Sequence, residues 1–146
     1  MEENGLERRT CERFRIPGAT VSYRKDRKLF AGDEFAEEFC PVLDLSRGGI
    51  RFLTHKPMDF LAKVFLSISV PGERIPLTLR GEVRWSSYNP GKSYEYQVGV
   101  QFNPYGEKKD QNYPGTLVKI IALEQKFLDE TTAVKEDPTK KNDYSI

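Results

Sequence analysis

Three consecutive blocks between residues 63 and 102 alternate apolar with polar residues, and a turn separates each from the next. "KVFLSISV" sets Val64, Leu66, Ile68 and Val70 on one face. "IPLTLRGEVRW" repeats the pattern at Ile75, Leu77, Leu79, Gly81, Val83 and Trp85, and "YEYQVGVQF" follows as the third block. The intervening "PGER" and "NPGKS" carry the Pro-Gly pair that fixes a reversal. A repeat of two residues belongs to a strand with one dry face. Three further strands precede these. "ATVSYR" alternates at Val21 and Tyr23. "FAEEFCPVLDLS" leads into a second strand, with Val42 and Leu43 as its apolar centre and Asp44 to Ser46 as its end. Gly48-Gly49 marks a sharp turn, and "IRFLTH" places Ile50 and Phe52 on one face. Six short strands joined by turns predict a six-stranded antiparallel β-barrel, which hides its edges by closing.

The period changes after Asn112. Leu117, Ile120, Ile121, Phe127 and Leu128 recur at helical spacing, with Pro114 suited to the first turn. The fold class is therefore all-β with a C-terminal helix, and the helix is expected to end near Asp129. From Thr131 onward the chain is polar with a lone proline, which reads as a disordered tail over 131–146. Residues 1–7 read as a flexible N-terminus, and 8–130 as one domain. Residues 1–16 hold few apolar anchors (Leu6, Phe14 and Ile16), so the front segment is expected to lie free of the barrel.

Charge and cysteine content narrow the function. At 146 residues the chain can bury a real core. A net charge of +1 argues against a protein that coats a nucleic acid polymer. No apolar run approaches a membrane span, and the opening "MEENGLERR" has no secretory h-region, so no membrane insertion is expected and the compartment reads as cytoplasmic. Cys11 and Cys40 are too few for a disulfide framework. The distribution of charge says more than its sum. Eight Lys or Arg fall between Arg8 and Lys28 against two acids, a local basic patch suited to a small anionic ligand.

Two constellations could carry chemistry. In "RTCER", Arg9 and Arg13 stand four apart, roughly 13 Å along an extended segment. Guanidinium grips phosphate bidentately and matches the O6/N7 edge of guanine. The spacing alone selects nothing, since Arg47/Arg51 and Arg80/Arg84 share it, and a solvated face is the ordinary reading. In "DLSRGG", Asp44 and Ser46 point to one face at a strand end. A carboxylate there can accept from guanine N1–H and N2–H, which no phosphate requires. Gly49 permits close backbone approach to a ligand or a positive φ. The ordinary reading of this stretch is an Asx-type turn between strands.

Taken in order, the two motifs resemble the PilZ domain. That family combines an N-terminal Arg-x-x-x-Arg with an [Asp/Asn]-x-Ser-x-x-Gly on the barrel, here Arg9–Arg13 and Asp44–Gly49. "GIRF" after the second motif, "GEVRW" and "VGVQF" continue the resemblance over roughly residues 8–130. It implies a PilZ-like barrel and a non-enzymatic receptor for cyclic di-GMP, a bacterial second messenger, with no cofactor beyond that ligand. It implies that Arg9 and Arg13 hold guanine and phosphate, that Asp44 and Ser46 contact the guanine, and that Gly49 allows close approach. Arg8, just before the first motif, is associated in this family with two intercalated ligand molecules. A receptor without an output domain must pass its signal to a protein partner, here through ordering of the arginine segment. The alternative is a PilZ-like adaptor that works by protein contact without ligand.

The remaining candidates are weaker. Trp85 is placed either to stack on a purine or to fill the barrel rim. Arg51 and Arg84 fall on the outer face of strands and receive no role. His55 has no catalytic partner at a recognisable spacing, and no zinc pattern, P-loop or nucleophile elbow occurs. The basic residues lie at one end, which disfavours a barrel that binds single-stranded nucleic acid.

Overall fold

A computed structural model of the chain describes residues 12–26 and 34–135, with side chains up to residue 128. Six strands form: β1 (Thr20–Lys25), β2 (Glu37–Leu45), β3 (Gly49–Thr54), β4 (Lys63–Ser69), β5 (Leu77–Tyr88) and β6 (Tyr96–Phe102). All pairs are antiparallel, and the order β1-β2-β3-β6-β5-β4 closes through β4 onto β1 as a barrel. A helix, α1 (Pro114–Lys135), follows, with Pro114 as its first residue. The expected fold class is the observed one.

The interior is filled by the alternating residues. Val21, Phe52, Val64, Leu66, Ile68, Leu79, Val83 and Val98 are fully enclosed, and α1 adds Ile120. Asn112 sets where that helix starts. Its buried amide accepts from the Arg80 N–H at 2.8 Å and donates to the carbonyls of Arg80 and Asn103, each at 3.0 Å.

Several expectations need correction. The segment before β1 is not free of the barrel throughout. Phe14 is only 2% exposed, Ile16 is buried, and Phe14 exchanges two 2.9 Å backbone hydrogen bonds with Leu45. Burial of one such ring contributes about 1.5–3 kcal/mol, which holds residues 14–16 to the end of β2. In β2, Val42 and Leu43 are only half-buried, while Cys40 and Leu45 lie inside and Asp44 is buried on the outer face beside Arg51. The pairing of β2 with β3 is irregular between Val42 and Asp44, which shifts the inward positions by one. Ile75 is 70% exposed because the turn after β4 runs on to Pro76 and β5 begins at Leu77. The helix continues past Asp129 to Lys135, so Thr131–Lys135, expected in the tail, belong to it. No glycine or proline interrupts the chain before Pro138, and a polar helical turn looks like a tail in composition. Residues 136–146, and the expected flexible N-terminus at 1–7, lie outside the described residues.

A candidate anion site on the outer face of the barrel

The site is assembled across four strands. Asp44 on β2 pairs with Arg51 on β3, Arg51 pairs with Gly99 on β6, and Gly99 pairs with Trp85 on β5. Residues directly opposite in a sheet share a face, so carboxylate, guanidinium, glycine and indole form one row. Their strands bury Ile50, Phe52, Val83, Val98 and Val100 on the other face.

Trp85 joins this row because of a bulge. The inward alternation of β5 predicts that Trp85 follows Val83 into the core. Instead the register slips between Val83 and Trp85, and both Arg84 and Trp85 turn outward. β5 then continues to Tyr88, so Trp85 ends no strand. Its indole lies over Gly99, where a Cβ would overlap the ring, and Trp85 remains 38% exposed.

Beside this row opens a cavity of about 480 Å³. Its cationic walls are Arg13, Arg51 and Arg84, and its floor includes Gly49, Gly99 and Val100. Ser46, Gly48, Trp85 and Gln101 also line it. Three guanidiniums around one concavity on a chain of net charge +1 favour an anion with planar hydrogen-bonding groups.

Asp44 holds the cationic wall in place. It is buried, and its Oδ2 accepts from Arg51 Nε at 2.8 Å and from Arg51 Nη2, while its Oδ1 accepts from Arg13 Nη1 at 3.4 Å. The hydrogen bonds to Asp44 raise the Arg51 pKa above its ordinary value, against the opposing effect of burial. Arg13 reaches Asp44 because the next residue, Phe14, is locked against Leu45. Arg84 donates from Nη1 to Gln101 Oε1 at 2.7 Å and lies 3.6 Å from Glu82.

The turn after β2 is tight. Ser46 N–H donates to the Gly49 carbonyl at 2.9 Å, and Ser46 Oγ accepts from Gly48 N–H at 3.2 Å. The residue between them faces away from the cavity. Arg47 Nε donates to the buried carboxylate of Glu124 on α1 at 2.8 Å, and its carbonyl accepts from Tyr105 Oη at 2.6 Å. Gly49 has no positive φ. A Cβ there would stand 2.5 Å from the Val100 carbonyl oxygen, so the close approach it permits is that of β6.

A model of the PilZ domain matches residues 7–117. The chain belongs to the PilZ domain family. PilZ domains are the receptor domain family for cyclic di-GMP. The match takes in all six strands of this PilZ barrel and the arginine segment before them. Among solved structures, the Bacillus subtilis inhibitor of motility, MotI/DgrA, is 15% identical over 78% of this chain and 50% of its own, with a TM-score of 0.47. MrkH, described as a c-di-GMP dependence transcription regulatory factor, is 22% identical over 75% of this chain and 48% of its own, with a TM-score of 0.44. The chain spans about half the length of each. No curated protein sequence matches it.

Of the residues singled out in the sequence of this PilZ domain, the structure brings Arg13, Ser46, Gly49 and Trp85 to one cavity and ties Asp44 to its wall. Arg8 and Arg9 lie outside the described residues. Sequence reasoning missed Arg51, Arg84, Gly99 and Gln101. Arg51 alternates with the apolar Ile50 and Phe52, which correctly assigns it to the outer face. The available signal was that Asp44 and Ser46 end a strand on that same face, so outward charges on the neighbouring strand were candidates too. Among the described residues, no group of three or more His, Cys, Asp or Glu could hold a metal ion, and no helix is long and apolar enough to cross a membrane.

Proposed function

We propose that this PilZ domain is a non-enzymatic, cytoplasmic receptor that binds cyclic di-GMP and relays its presence to a protein partner. One observation carries the reading. Arg13 and Asp44, 31 residues apart and one from each motif, meet at the cavity that Ser46, Gly49 and Trp85 line. In this reading Arg13 and Arg9 take guanine O6/N7 and a phosphate, where a planar fork suits both. Asp44 and Ser46 take the donor edge of the guanine, and Trp85 offers a stacking face. Arg8 supplies a third guanidinium ahead of the barrel, which favours two intercalated ligand molecules, since four phosphate charges need more compensation than two.

The anchor at Phe14 supports the relay. Phe14 is held to β2, so a ligand gripped by Arg9 and Arg13 fixes the path of residues 8–13 over the cavity. The surface thus presented is what a partner reads.

Calorimetric titration with cyclic di-GMP, at protein concentrations well above the dissociation constant, tests the reading. Cyclic di-AMP serves as the control, since adenine lacks the N1–H and N2–H donors. Saturable binding of cyclic di-GMP with at least tenfold discrimination is expected. Absence of binding would leave the ligand-free adaptor as the surviving account.

A further inference from the structure

The two partners of Asp44 differ in kind. Arg51 donates twice to Oδ2, from a side chain 35% exposed on a strand flanked by β2 and β6. Arg13 meets Oδ1 once, at 3.4 Å, from a side chain 58% exposed that belongs to no strand. The first contact is a fork on a rigid frame, and the second is near the outer limit of a hydrogen bond.

We infer that Arg51 is a positioning residue for guanine recognition: it fixes the Asp44 carboxylate through Oδ2 while Oδ1 passes from Arg13 to the ligand. This rests on the receptor reading above. A carboxylate held by one oxygen cannot rotate, so the other oxygen stays aimed at the cavity wall. Arg51 also supplies the cation that a buried carboxylate needs once Arg13 departs. Without Arg51, Arg13 becomes the sole cation bonded to Asp44 and is drawn into a full ion pair with it. The site would then compete with its own ligand for both groups.

The test compares cyclic di-GMP with cyclic di-IMP, which lacks only the guanine N2 amino groups, by calorimetry on wild type, Arg51→Gln and Arg51→Lys. Wild type should prefer cyclic di-GMP by about ten- to a hundredfold, the effect of one hydrogen bond to a charged acceptor. Arg51→Gln should bind more weakly and keep no more than about a threefold preference. Lysine restores the charge but not the fork, so Arg51→Lys should recover affinity more fully than preference. Should Arg51→Gln fail to fold, the loss of preference in Arg51→Lys decides alone. Wild type that binds neither nucleotide overturns the receptor reading and this role with it. Wild type that binds both equally, or variants that keep the wild-type preference at reduced affinity, overturn the positioning role and leave the receptor reading intact.

Discussion

Adding one methyl group at Gly99 should dislodge the indole that lies across it. A Cβ at this position would overlap Cε2 and Nε1 of Trp85, far inside the roughly 3.5 Å of an ordinary carbon contact. The strands cannot part to make room, because Gly99 is paired with Arg51 on one side and Trp85 on the other. The indole is partly exposed and has solvent beyond it, so it moves instead, by about 1 Å or more. Overpacking of this size costs about 1–3 kcal/mol, and here the lower end applies, since relief lies toward water. In a chain of this size that lowers Tm by roughly 3–5 °C. Lost stacking would weaken cyclic di-GMP by about five- to a hundredfold. Trp85 is the single tryptophan, so its emission reports on this ring alone. Gly99→Ala should shift the emission maximum to longer wavelength in the folded protein, with little further change on unfolding. An emission maximum and Tm equal to wild type would show that the indole does not rest on Gly99, and the row across the sheet would be wrongly built.

Three other outcomes are expected. Arg13→Ala and Asp44→Ala should each weaken cyclic di-GMP by one to two decades in calorimetry, with far-UV circular dichroism unchanged, at about 1.5–3 kcal/mol for a charge-assisted contact. Saturating titration of wild type should end at two ligands per chain and that of Arg8→Leu nearer one; a wild-type endpoint of one refutes the role of Arg8. Stability should fall in alkali: burial, then the Glu37 charge, pushes the buried Cys40 thiol up to about 12, against about 8.5 when unfolded. The unfolded chain therefore binds fewer protons between about pH 9 and 12, and stability drops there by about 1.4 kcal/mol per pH unit. Tyr23, also raised, mainly by burial and then by its hydrogen bond to Glu37, adds to the loss above its ordinary value. Denaturant midpoints from pH 8 to 10.5 should slope less in Cys40→Ala, and an identical slope would exonerate the thiol.

The barrel is legible in the sequence because alternation is local. Val64, Leu66 and Ile68 declare an inner face without reference to any partner strand. Bulges are not local. The slip at Val83/Trp85 exists only against β6, so the alternation of "GEVRW" carried Trp85 inward on paper. Arg13, Asp44 and Ser46 could be found because the two motifs, taken in order, resemble the PilZ pattern; neither spacing selects them alone. Arg51 and Arg84 could not, because an outward arginine beside solvent and one beside a ligand look alike until the neighbouring strands are placed. The hold on Phe14 was hidden for a similar reason: a single aromatic among charges shows no period, and only the Leu45 backbone reveals what it docks against.

The loop after β2 has two clients. Ser46 and Gly48 face the cavity, while Arg47 between them is clasped by Glu124 and Tyr105. A fragment ending after Leu117 would retain every strand and every residue that lines the cavity, yet lose both Glu124 and the buried Ile120. Its loop would be braced from one side only. Helix α1, which lines no part of the cavity, thus acts as the buttress of the cavity-facing turn, and shortening it is a way to loosen the site without altering a single residue that lines it.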